Sequence, residues 1–264
     1  MSSPSTGSLP RILTIATNAF REAVRDRVLY NLIVFVLLIT VSAVFLSELS
    51  GGHAGRVITN LGLTAILFIG TFIAIFVGVS LVWKEIEKRT VFSIFAKPVG
   101  RTEFLVGRYL GLAATLFVNI AVMGAGLSLA LLFVGDRPLA AAIWPAILLI
   151  FLELSVTTAV AILFSSFSTP ALSAMLTFLI FVIGHFSSTI KELAGALASP
   201  AAKAIVEAIY YGLPNYRVFS FITETSNYML PTGRMMAGAV AYAFGLTAVV
   251  LSIASIVFSR RDMK

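Results

Sequence analysis

Cysteine is missing from all 264 residues, which excludes disulfides and thiolate metal sites. Charge is scarce: Asp, Glu, Lys and Arg make up 12% of the chain, against about 25% in a soluble domain. Only two histidines occur, His53 and His185, and ligand spacing around them is missing. Met229, Met235 and Met236 are soft company for a copper(I) pair at those histidines. Isolated polar residues near a membrane interface is the better reading of them. The phosphate-cradling G-x-x-x-x-G-K-[ST], the zinc-binding H-E-x-x-H and the G-x-S-x-G nucleophile elbow are all absent, so the chain cannot hold ATP phosphates by itself. No enzyme activity, catalytic residue, cofactor or metal is expected of it.

What is present is apolar. Hydrophobic residues make up 59% of the chain and the mean hydropathy is +1.00. Several runs of roughly 20 apolar residues are long enough to cross about 30 Å of hydrocarbon. These features predict an all-α membrane protein with six transmembrane helices, at about 29–49, 61–83, 105–134, 139–164, 171–187 and 235–258. One six-span membrane domain covers 11–264. Residues 1–10, rich in Ser, Pro, Thr and Gly, read as disordered, and no cleaved signal peptide is expected. From Arg11 to Arg27, apolar Ile12, Ile15, Ala19 and Phe20 recur at helical spacing opposite Arg21, Glu22 and Arg25, which predicts an amphipathic helix on the membrane surface.

The net charge of +7 does not point to nucleic acid, because it sits in short loops. With the N-terminus inside, thirteen of the nineteen Lys and Arg fall in inner segments and six in outer ones. Positive residues favour the cytoplasm, so both termini are expected there. The segment 188–233 is then external. Ser199-Pro200 starts a helix within it and Gly212 with Pro214 stops it, so short helices lying at or dipping into the outer face are expected.

Six of the basic residues lie in Lys84–Gly111, between spans two and three. Polar Glu85–Thr90 is followed by apolar Val91–Phe95, a turn at Lys97–Arg101, and Thr102 placed to cap the next helix. A short helix with apolar anchors and flanking charges suits a groove in a partner. Within the spans, Glu153 stands out. A carboxylate at mid-membrane costs roughly 2.5 kcal/mol or more, so it must face a cavity or a polar partner. Asn119 is at similar depth in the neighbouring span. A substrate-path or gating residue and an interhelical hydrogen bond both fit Glu153.

The run Glu85, Lys88-Arg89-Thr90, Lys97-Pro98-Val99-Gly100-Arg101-Thr102-Glu103-Phe104 and Gly107-Arg108 resembles the permeases of ABC-type-2 exporters. Asn18–Asn31 is similar to the surface helix before their first span. Leu213-Pro214-Asn215 is similar to an outer-loop feature of the branch that includes gliding-motility and nitrous-oxide-reductase maturation permeases. The resemblance spans nearly the whole chain, and its degenerate motifs do not specify a substrate. It implies a six-span permease in the cytoplasmic (inner) membrane of a bacterium or archaeon. That permease pairs with a second permease chain and carries a separate ATP-binding subunit, on which ATP and Mg would sit. The loop between spans two and three would meet that subunit through Glu85, Glu87, Lys88, Arg89, Thr90, Lys97, Pro98 and Arg101. The alternative is a membrane scaffold or channel subunit without ATP-driven transport.

Overall fold

A computed structural model describes residues 8–25, 34–35, 38–39, 42, 53–87, 100–196 and 199–260. Among these residues every regular element is helical. In chain order they are α1 (Ser8–Arg25), α2 (Ala54–Glu87), α3 (Arg101–Phe133), α4 (Arg137–Ser165), α5 (Pro170–His185), α6 (Ser187–Ala196), α7 (Pro200–Gly212), a 3-10 turn (Tyr216–Phe219), α8 (Ile222–Ser226) and α9 (Gly233–Arg260). Four of them, α2, α3, α4 and α9, are long and apolar enough to cross a membrane. The chain is thus an all-α protein built for a bilayer. The expected first span, about 29–49, lies almost wholly outside the described residues, as do residues 1–7. Ser8, Leu9 and Pro10, expected to be disordered, form the first turn of α1, where proline is tolerated because its missing N–H would have no partner anyway.

Helix α4 is the centre of the bundle. Its side chains enter the core it forms with α2 and α3, through Ile143, Ile147, Ile150 and Leu154. They also enter a second core with α9 through Leu149, Leu152 and Val156. A helix apolar on all sides is a buried one, and α4 is buried over 78% of its most apolar window, against 22% for α9. It starts cleanly: Gly135 turns the chain at φ +89°, Asp136 Oδ1 accepts from Leu139 N–H at 3.2 Å, and Pro138 sits in the first turn.

Helices α2 and α3 are 34 and 33 residues long, roughly 50 Å each at 1.5 Å per residue. Both exceed the hydrocarbon thickness of about 30 Å. The end of α2 and the start of α3 define one end of the bundle, called basal here. Glu103 closes the start of α3 by accepting from Gly100 N–H at 3.1 Å. The cap is therefore Gly100, two residues ahead of Thr102. Thr102, placed as the cap by sequence, lies inside the helix and pairs its hydroxyl with Ser255 of α9 at 2.7 Å. Phe104 stacks on Phe258 of α9 with centroids 6.3 Å apart.

Helix α1 also sits at the basal end. It packs closely on the first turns of α3. A Cβ on Gly107 would come within 2.8 Å of Ile15, and one on Gly111 within 2.5 Å of the Ala16 carbonyl oxygen. The pair Gly107-x-x-x-Gly111 thus lets two backbones approach as small residues do between membrane helices. Arg108, between them, is buried and pairs its Nη1 with Glu22 Oε2 of α1 at 3.0 Å.

Candidate functional site

The basic loop ends where the described residues end. Glu85 and Glu87 fall in the last turn of α2, and Arg101 opens α3. Lys88, Arg89, Thr90, Lys97 and Pro98 lie outside the described residues. The fold brings the flanks of this loop together with α1 and the end of α9 at the basal end.

The described polar site lies deeper, around Glu153. The carboxylate sits near the middle of α4 and is 1% exposed. Helix α5, at 16 residues, spans only about 24 Å and stops short of the far side, which brings His185 at its end beside Glu153. His185 Nε2 stands 3.0 Å from Glu153 Oε1, although the oxygen gains no hydrogen bond of good geometry from it. The other ring nitrogen, Nδ1, is 3.0 Å from the Phe181 carbonyl. A carbonyl only accepts, so Nδ1 carries a proton.

Around this pair the segment that follows α5 folds back onto the bundle. The chain leaves α5, rises through α6, returns through α7, and delivers Leu213-Pro214-Asn215-Tyr216 to the level of Glu153. Tyr216 is fully buried, and its hydroxyl meets the Thr157 hydroxyl at 3.2 Å. Thr157 itself is back-bonded to the Glu153 carbonyl at 3.0 Å. The Tyr216 ring lies 5.6 Å from the His185 ring and 5.5 Å from that of Phe181, between centroids. Close approach depends on Gly184, where a Cβ would fall 2.6 Å from the Pro214 carbonyl oxygen and 2.5 Å from the Tyr216 ring. Asn215 fixes the turn. Its Oδ1 accepts from Ser187 Oγ at 2.7 Å and from Arg217 N–H at 3.2 Å, while its own N–H donates to the Tyr242 hydroxyl of α9 at 2.8 Å.

Beyond this turn the chain is clasped at the distal end. Tyr228 donates to Asp136 Oδ2 at 2.7 Å, and the Arg56 guanidinium lies 5.4 Å over its ring. Tyr228 adopts φ +62°, an uncommon conformation for a bulky residue. Donation to Asp136 raises its pKa above the usual tyrosine value, with Arg56 opposing.

Of the residues singled out by sequence, Glu153 has its partner on α5 and not on α3. Asn119 bonds within its own helix, Nδ2 donating to the Thr115 carbonyl at 2.8 Å, and its Oδ1 is buried without a hydrogen bond. Sequence reasoning named His185 but not its pairing with Glu153, and missed Tyr216, Gly184 and the Arg108–Glu22 pair. Among the described residues no cluster of three or more His, Asp or Glu could hold a metal. No protein-family model and no curated protein gives a significant match to the chain.

Proposed function

We propose that the chain is the membrane-spanning permease subunit of an ATP-driven exporter of the ABC-type-2 kind. In this reading six spans lie in a bacterial or archaeal cytoplasmic membrane with both termini inside. The observation that carries it is the convergence at the basal end. Two helices longer than the bilayer end in the charged segment, and α1 is fastened to the first turns of one of them by Gly107, Gly111 and the Arg108–Glu22 pair. A push on the loop would therefore be carried into the bundle by stiff elements and not be lost in a flexible linker.

A separate ATP-binding subunit supplies the nucleotide chemistry, with ATP and Mg on that subunit. A second permease chain completes the translocation unit. Closure of the ATP-binding pair moves the loop and rocks the two permeases between inward- and outward-facing states. The permease forms no covalent bond with its cargo. Within it, Glu153, His185 and Tyr216 join α4, α5 and the returning outer segment, so those parts move together.

Purification from mild detergent tests the reading. An ATPase subunit should accompany the chain in stoichiometric amount. It should be lost when Lys88→Glu, Arg89→Glu and Arg101→Glu are combined. Undiminished ATPase recovery with the triple variant would refute the loop assignment.

A further inference from the structure

We infer that the segment 221–230, which carries α8, is a strap that opens and closes over the distal ends of α2 and α4, with the Tyr228 hydroxyl as its catch. The inference concerns this chain alone and needs nothing of the exporter reading. It starts from a residue out of place. The Met229 N–H donates to the Glu224 carbonyl at 3.0 Å, and the Tyr228 N–H to the Thr225 carbonyl at 2.9 Å. That pair of bonds is the Schellman ending of a helix. It puts Tyr228 where glycine is usual, because the backbone there turns left-handed. Tyr228 does so at φ +62°, and a side chain in that region strains the backbone. Glycine would end α8 without the strain. What tyrosine adds is reach: its hydroxyl donates to Asp136 Oδ2 at 2.7 Å, and its ring lies under the Arg56 guanidinium.

The seat of the catch is equally specific. Asp136 Oδ2 occupies the space that a Cβ on Gly55 would take, so glycine in the first turn of α2 is what admits the carboxylate. The other oxygen, Oδ1, caps α4. One carboxylate therefore meets the start of α2, the start of α4 and the strap. Little else holds the tip. The apolar attachments, Phe221 and Ile222, are both at the strap's first end, whereas Met229 and Leu230 stand exposed. The side chains of Thr225, Ser226 and Asn227 hydrogen-bond to the carbonyls of Phe221 and Thr223, so a released strap carries its polar partners with it. Among the described residues, its polar contacts with other elements are those of Tyr228 with Asp136 and Arg56. A strained backbone and one half-exposed hydrogen bond are of similar size. That near-balance is what lets a catch both close and open.

The test uses the full-length chain in nanodiscs, with one thiol introduced at a time into the cysteine-free background. It reads the rate of modification by N-ethylmaleimide. Ser226→Cys, at a position 5% exposed, reports on the strap, and Ala146→Cys, at a position 1% exposed inside α4, reports on opening of the bundle. Ser226→Cys should react about tenfold faster than Ala146→Cys, because a local opening is more frequent than a global one. Tyr228→Phe, which removes the catch and keeps the ring, should speed Ser226→Cys roughly fivefold, the worth of one such hydrogen bond, and leave Ala146→Cys unchanged. Gly55→Ala, which unseats Asp136 with the tyrosine intact, should give the same contrast. Equal rates at the two positions, a Ser226→Cys rate that either substitution leaves unchanged, or an equal rise at both positions would overturn the proposal, because the strap would then be a fixed part of the bundle.

Discussion

A single carboxylate in the middle of α4 imposes the strongest local demand in this chain. Glu153 Oε1 faces His185 Nε2 at 3.0 Å, and breaking a buried charge pair from one side leaves the other group uncompensated. Glu153→Ala is expected to destabilise the fold by about 3–5 kcal/mol, read as a lowered thermal midpoint in detergent. Glu153→Gln retains a hydrogen-bonding group and should assemble normally. Loss of transport in Glu153→Gln with intact assembly would show that the carboxylate also serves the path. Gly184→Ala adds one methyl group against the Pro214 carbonyl and the Tyr216 ring. Overpacking of this kind costs typically 1–3 kcal/mol, and it should raise hydrogen exchange across 213–219. The demand of Glu153 was legible in the sequence, because a charged residue inside an apolar run needs a partner wherever it lies. The partner was not legible, since it sits 32 positions away on a helix whose shortness, not its composition, sets its depth.

At the scale of elements, the helices of the bundle could be read from apolar runs, with ends displaced by a few residues. Span two begins at Ala54 and not near Leu61, because Arg56 and Asn60 lie at a helix end where polar groups meet water. What the runs could not reveal was how elements dock. Amphipathic spacing in α1 fits a membrane surface and a helical groove equally well. The matching of Gly107 and Gly111 to Ile15 and Ala16 shows the helical contact. Arg108→Ala should therefore loosen α1, with faster proteolysis at Arg21. The exchanged pair Arg108→Glu with Glu22→Arg should recover part of the protection. At the distal end, the Tyr228–Asp136 clasp carries a pH dependence. Tyr228 has a raised pKa, so its contribution is fully present below about pH 10, the unfolded tyrosine value. It is lost as pH rises through the higher folded value. Between pH 9 and pH 11 the thermal midpoint should fall further for the native chain than for Tyr228→Phe. Equal slopes would show that the clasp does not contribute.

The whole molecule is a bundle with two unlike ends. Arg11, Arg21, Arg101 and Arg108 belong to the basal end with the charged segment, whereas Arg56 and Arg137 mark the distal end beside the clasp. The account rests on the basal end facing the cytoplasm, where a separate ATPase can grip it. Because the chain has no cysteine, one introduced thiol reports alone. Lys97→Cys in intact cells, treated with a membrane-impermeant maleimide, should stay unlabelled until the membrane is opened. Tyr228→Cys should label at once. Immediate labelling of Lys97→Cys from outside the intact cell would contradict the account.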